Sequence, residues 1–253
     1  MFMRIVLTPL EEQYQTIALR VTELESYFTC PFKHKFWKQD FANNEALHFG
    51  SLTHAVLQAF FFKPKAGIDT LDIICRSYED RCKIIYNYLK LAEDNKLSEQ
   101  YNLICTEFKC VIEIEMWKFL IILEGTIDVI SRDDQGNYTL IDFKTSKAEW
   151  KPEQYENKIQ KFLYPWLLAQ LVGEEHVKAF DYLIFTKHVT PRLQQLKYVV
   201  DWNETNLFLK TLLTNYCFSF ENSMWNPKIC QVCFFCPLKA TCPLKAEAQS
   251  DNF

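Results

Sequence analysis

Apolar and polar positions along the chain repeat at two different periods. Leu52, Ala55, Val56 and Ala59 fall at i, i+3, i+4 and i+7, which predicts a helix opening near Ser51, a residue able to cap it. Pro64 and Gly67 read as its end. Beyond them Leu71, Ile74, Tyr78, Cys82 and Ile85 form a second helical stripe, and residues 64–100 are expected to be a helical insertion or lid. The period then changes. Residues 103–117 are rich in Ile, Val, Phe and Thr and favour a strand, and 118–131 and 138–145 are clearer strands. Asp133-Asp134-Gln135-Gly136-Asn137 supplies turn chemistry between these two, which predicts a β-hairpin. A helix over 152–172 follows, with Ile159, Leu163, Trp166 and Leu167 on its apolar face. Strands at 177–186 and 193–200 and a helix at 203–218 complete the pattern. This order predicts an α/β fold whose sheet is mixed or largely antiparallel.

Composition narrows the function classes. The 253 residues suffice for one sizeable domain, and 49% hydrophobic with 24% charged residues is ordinary for a globular chain. We therefore expect a single domain over 1–253. No apolar run approaches the roughly 20 residues that span a bilayer, and the first ten residues do not read as a signal peptide. A cytoplasmic protein with no membrane partner is the expectation. With only 5 Gly there is neither a P-loop nor a dinucleotide-binding glycine fingerprint. The net charge of −4 gives no overall attraction to nucleic acid, so any such surface must be local. An acidic site would need a metal ion to tolerate phosphates.

The hairpin carries the most chemistry. Asp128 and Asp142 lie seven residues either side of Gln135, so a turn centred there sets them opposite each other on neighbouring strands. Their Cβ atoms would then be roughly 4.5–5.5 Å apart, a pairing of like charges that destabilises a hairpin unless a cation intervenes. Lys144 is two residues beyond Asp142 and shares its face, while Ile127, Val129, Ile141 and Phe143 point into apolar surroundings. Two hard carboxylates holding Mg²⁺ or Mn²⁺ beside a lysine suit phosphodiester hydrolysis. The plainer reading is a surface hairpin with solvated charges. His54, opposite the apolar face of its helix, is a candidate third ligand. Gln160 and Tyr164, one turn apart on the following helix, are placed to touch a bound strand.

The ordered series Gly50-x-x-x-His54, Gly125-x-x-Asp128, Asp142-x-Lys144 and Gln160-x-x-x-Tyr164 resembles the RecB-like branch of the PD-(D/E)XK nucleases. Ser26-Tyr27-Phe28-Thr29-Cys30-Pro31-Phe32 is similar to that branch's N-terminal signature, and the resemblance covers about residues 24–243. It implies a restriction-endonuclease-like core, a mixed β-sheet flanked by helices. His54, Asp128 and Asp142 would be metal ligands, and Asp128, Asp142, Lys144, Gln160 and Tyr164 the catalytic set. It further implies a metal-dependent DNA nuclease, an exonuclease on single-stranded DNA or DNA ends, acting in recombination, repair or CRISPR adaptation with a helicase or adaptation proteins as partners. A non-catalytic adaptor that kept the fold is the alternative. Lys33, Lys35, Lys38, Lys147, Lys151, Lys158 and Lys161 are candidate phosphate contacts, and Phe32, Trp37 and Trp150 candidate stacking surfaces.

Ten cysteines without an export signal do not read as a disulfide framework. Cys75, Cys82, Cys105, Cys110 and Cys217 lie scattered among apolar residues, most of them expected as core or buried thiols. Cys233-x2-Cys236-x5-Cys242 is different, and four thiolates suit iron–sulfur or zinc equally well. Cys230 could complete a local set. With Cys30 the pattern is similar to the cluster-containing members of the same branch, the AddB-type subunits and CRISPR adaptation nucleases among them. That likeness implies a four-iron four-sulfur cluster held by Cys30, Cys233, Cys236 and Cys242, with 217–245 as the cluster-binding segment.

Overall fold

The computed structural model describes residues 2–7, 13–36, 45–75, 79–188, 190–230, 233 and 236–244. They fall into two compact units, each assembled from separate stretches of chain. The first takes 1–40, 111–125 and 203–253, and the second takes 41–110 and 126–202.

The first unit opens with two strands, β1 (Phe2–Val6) and β2 (Gln15–Arg20), followed by helices α1 (Val21–Thr29) and α2 (Pro31–Phe36). In β2 the alternation is regular: Ile17 and Leu19 are buried and their neighbours exposed. Two long strands, β3 (Leu103–Met116) and β4 (Phe119–Arg132), contribute residues to both units. Within the first unit β1 runs parallel to the second half of β3, and β2 parallel to the first half of β4. The long helix Trp202–Glu221 packs its aromatic side here: Tyr27, Tyr216 and Trp225 meet edge to face, and the Tyr27 hydroxyl is 2.9 Å from Ser219 Oγ.

The second unit holds α3 (Glu45–Phe62), α4 (Pro64–Cys75), α5 (Glu79–Asp94) and α6 (Leu97–Gln100), then the end of β4 and β5 (Tyr138–Ser146). It continues through α7 (Pro152–Glu156), α8 (Gln160–Val172), β6 (Val177–Thr186) and β7 (Leu193–Val199), and α9 is the Trp202–Glu221 helix. Its sheet is mixed: β5 is antiparallel to β4, parallel to β6, and β6 is antiparallel to β7. One face presents Val129, Ile141, Phe143, Leu183 and Phe185 to the helices, where Phe49, Val56, Leu57, Phe60, Tyr88 and Leu89 close over them. On the other face α8 packs on β6, with Tyr164 stacked on Phe180. This is the expected arrangement of helices about a mixed sheet. Among the described residues no helix is long and apolar enough to cross a membrane.

Several local expectations are corrected. The buried stripe of α3 is Phe49, Thr53, Val56, Leu57, Phe60 and Phe61, whereas Ala55 is exposed: large aromatic rings claim the core before small alanines do. Pro64 is the first residue of α4 and Gly67 lies inside it. A Cβ at Gly67 would meet Phe60 Cβ at 2.7 Å, so the glycine permits close approach of α3 and α4. The helix expected over 152–172 is two helices separated at 157–159. Parallel pairing is more prominent than the local pattern suggested.

Candidate active site

The β4–β5 ladder is symmetric about Gln135, running from Arg132↔Tyr138 to Val129↔Ile141. Asp133 builds the turn: its Oδ1 accepts the amides of Gln135 and Asn137, and Gly136 takes a positive φ of 88°. The next residues outward on the two strands are Asp128 and Asp142. At that point the ladder changes character, because the Phe143 amide donates to Asp128 Oδ2 at 2.8 Å. Asp128 and Asp142 are both buried.

Two further groups answer them. Lys144 Nζ forms an ion pair with Asp142 Oδ2, and His54 Nδ1 lies 3.3 Å from Asp128 Oδ2. His54 belongs to the α3 face made by Ser51, His54, Ala55 and Gln58, all of which line a cavity of about 560 Å³ together with Phe143 and Lys144. The i, i+3, i+4, i+7 spacing identified in the sequence is thus repeated one residue out of step by the pocket face. Gln58 donates to Glu107, whose φ of 51° departs from strand geometry in the middle of β3. Sequence reasoning missed Gln58 and Glu107, since neither has a local signature.

Burial dominates the electrostatics of Asp142 and pushes its carboxyl up to about 6. Lys144 opposes that shift and the neighbouring Asp128 adds to it. Burial works against ionised Asp128 too, but His54, Lys144 and the Phe143 amide outweigh it and hold its carboxyl below the ordinary value. For His54, burial disfavours the charge, yet the hydrogen bond and charge of Asp128, with Asp142 behind it, keep the imidazole above its usual pKa.

Gln160 and Tyr164 lie on the opposite side of the sheet from α3. Gln160 opens α8, is buried, and its Oε1 accepts no hydrogen bond from a described residue. Tyr164 stacks on Phe180, Phe180 meets Tyr182 at 4.8 Å, and Lys144 Nζ sits 6.0 Å from the Tyr182 ring. Of the proposed phosphate contacts, Lys161 is corrected: it is buried, with its ammonium over Phe162 and Tyr198. Lys158 instead caps Trp150 at 5.6 Å. Trp37 and Lys38 lie outside the described residues.

As arranged, no group of three or more His, Cys, Asp or Glu side chains among the described residues converges to hold a metal ion. Asp142 is turned to Lys144, and Asp128 to His54 and the Phe143 amide. The donor set nevertheless fits a hard divalent cation. It offers two neighbouring carboxylates and an imidazole, and the Asp142 carboxyl is raised because burial, with Asp128 beside it, outweighs Lys144 and His54. In the first unit Cys30 is buried at the end of α1, the sulfurs of Cys230 and Cys233 are 3.6 Å apart, and Cys236 and Cys242 are half-buried. Cys110 and Cys217 are buried as expected of core thiols. The side chains of Cys75 and Cys82 lie outside the described residues.

The family model for the PD-(D/E)XK nuclease superfamily matches residues 18–243. The chain belongs to that superfamily. Within the superfamily's match fall His54, the hairpin with Asp128, Asp142 and Lys144, and α8 with Gln160 and Tyr164. Among solved structures, a protein from Eubacterium rectale named "Putative exonuclease" aligns with TM-score 0.54 and 16% identity, covering 87% of this chain and 86% of that one. SSO0001 aligns with TM-score 0.45 and 18% identity over 93% of this chain and 88% of its own. No curated protein matches the sequence.

Proposed function

We propose that this superfamily member is a metal-dependent DNA nuclease of the RecB-like type, an exonuclease on single-stranded DNA or DNA ends. The observation that carries this reading is the meeting of His54, Asp128, Asp142 and Lys144 beside one cavity. His54, Asp128 and Asp142 would hold Mg²⁺ or Mn²⁺, which when bound activates water and offsets phosphoryl charge. Lys144 stabilises negative charge on the phosphate being cut and, through its ion pair, keeps Asp142 ionised. Gln160, whose buried amide oxygen accepts no hydrogen bond from a described residue, would contact the bound strand at the start of α8. Tyr164 stacks on Phe180, which meets Tyr182 edge to face behind Lys144, and so would fix the lysine's approach. The setting would be recombination, repair or CRISPR adaptation, with any unwinding done by a partner helicase. Cleavage of end-labelled single-stranded and duplex DNA with and without Mg²⁺ or Mn²⁺ tests the reading. Binding of the strand without cutting under every divalent ion would turn it to a non-catalytic adaptor.

For the closing segment we infer a four-iron four-sulfur cluster on Cys30, Cys233, Cys236 and Cys242. Support comes from the order and spacing of the thiols, which suit soft-metal ligation. The arrangement of Cys230 against Cys233 favours a rival local set, so the two cysteines separate the alternatives. Cys30→Ser protein purified without air should lose brown colour and soluble yield, whereas Cys230→Ser should keep both. The reverse pattern moves the fourth ligand to Cys230, and stoichiometric zinc replaces the cluster with a zinc site.

A further inference from the structure

The cavity beside His54 has a second cationic wall that the reading above does not use. Lys187 lines it along with Lys144. Its backbone is held in place by the sheet: β6 ends at Thr186 opposite Ser146, and the Lys187 amide donates to Ser146 O at 2.7 Å. Thr186 in turn bonds Arg192 through both its backbone and its hydroxyl, closing the turn into β7. The side chain runs over Phe49, with the ammonium 4.9 Å from the ring centre.

The two lysines differ in what balances them. Lys144 has Asp142. Among the described residues no carboxylate forms an ion pair with Lys187, and the one acidic side chain in the cavity lining, Glu107, receives the amide of Gln58. Burial lowers the Lys187 pKa, and the neighbouring charge of Lys147 lowers it further. A half-buried cation disfavoured on both counts and answered by no carboxylate among the described residues is matched by an anion that arrives with a ligand.

We propose that Lys187 grips a phosphate of the bound nucleic-acid strand next to the one that is cut, and so positions the strand across Asp128 and Asp142. This rests on the nuclease reading. The assignment makes Lys187 a positioning residue, distinct from Lys144, which pairs with Asp142 and serves the phosphate being cut.

The test is the salt dependence of binding. Full-length protein carrying Asp142→Asn is titrated onto a fluorescein-labelled single-stranded oligonucleotide at several salt concentrations. It is compared with the same protein carrying Lys187→Met or Lys187→Arg. Loss of one phosphate contact lowers the slope of log affinity against log salt by about 0.7 for a single strand. Lys187→Met keeps an apolar stem over Phe49 and is expected to lose that slope and bind several-fold more weakly, with an unchanged unfolding temperature. Lys187→Arg should restore both. With Asp142 intact, Lys187→Met should raise KM and leave kcat nearly unchanged. An unaltered salt slope and KM in Lys187→Met, beside wild-type protein that cuts, would reduce Lys187 to a cap on Phe49. Wild-type protein that neither binds nor cuts the strand would instead overturn the nuclease reading, and this proposal with it.

Discussion

Asp142 and Asp181 sit on neighbouring strands, β5 and β6, in adjacent register and on opposite faces of the same sheet. Each is only 3% exposed, and burial raises the pKa of both. Their surroundings then diverge. Asp142 has a lysine against it, with the Asp128 carboxylate and the His54 imidazole near it, and Lys144 and His54 line the cavity. Asp181 accepts a hydrogen bond from the neutral Tyr101 hydroxyl at 2.6 Å and faces Lys197 across the β6–β7 ladder. A buried carboxylate is therefore not in itself a mark of chemistry. What distinguishes the two is whether charges of both signs have been gathered around it, at a cost that a structural role would not require.

Exchanging one atom in each aspartate gives the largest contrast. Asp142→Asn or Lys144→Ala should reduce cleavage by at least about 10²-fold, as removal of a transition-state-stabilising group does elsewhere. Asp181→Asn should leave the cleavage rate within twofold of wild type. Equal loss at both positions would mean that the sheet, not the site, had been damaged. His54→Ala is expected to raise the concentration of Mn²⁺ needed for half-maximal cleavage about tenfold, with saturating metal recovering most of the rate. A helix that unfolds in this variant, read by circular dichroism, would make His54 a packing residue.

The Asp181 side is sharpened by stability measurements. Tyr101→Phe retains the ring against Phe61 but removes the donor to Asp181, and should cost about 1–3 kcal/mol in urea unfolding. The smallest effect concerns pH. Because the folded pKa of Asp181 is raised above its unfolded value of about 3.9, the unfolded chain releases this proton first as pH rises. Its contribution to stability is complete below that value and is lost as pH climbs through the folded pKa. Asp181→Asn should consequently unfold at a higher temperature than wild type near pH 7, the difference shrinking to nothing below about pH 4. A constant difference across that range would contradict the assigned shift.

How much of this could be read beforehand depended on sequence distance. The hairpin is legible because its turn residues fix register locally: the ladder pairs Val129–Arg132 with Tyr138–Ile141, and Asp128 and Asp142 are the next residues outward. His54 is legible only as a polar position on a helix; the α3 face is legible in part, since Val56 is buried and Leu52 packs against the core, whereas Ala55 is exposed and Phe49, Phe60 and Phe61 fill the core instead. Strands β1 and β2 went unread. Their partners are β3 and β4, about 100 residues away and parallel, so no local turn announces the pairing. Glu107 and Lys187 reach the cavity through β3 and the end of β6, and neither carries a motif. Lys161 was misread for the opposite reason: a lysine beside a polar helix start suggests solvent, yet Phe162 and Tyr198 shelter its stem and charge.

The most direct test of the central claim is cleavage of an end-labelled single-stranded oligonucleotide, followed as Mn²⁺ is titrated into wild-type and Asp142→Asn protein side by side. The account predicts saturable, metal-dependent shortening of the strand by the wild type and none by the variant at any metal concentration. Equal cutting by the two proteins would contradict it.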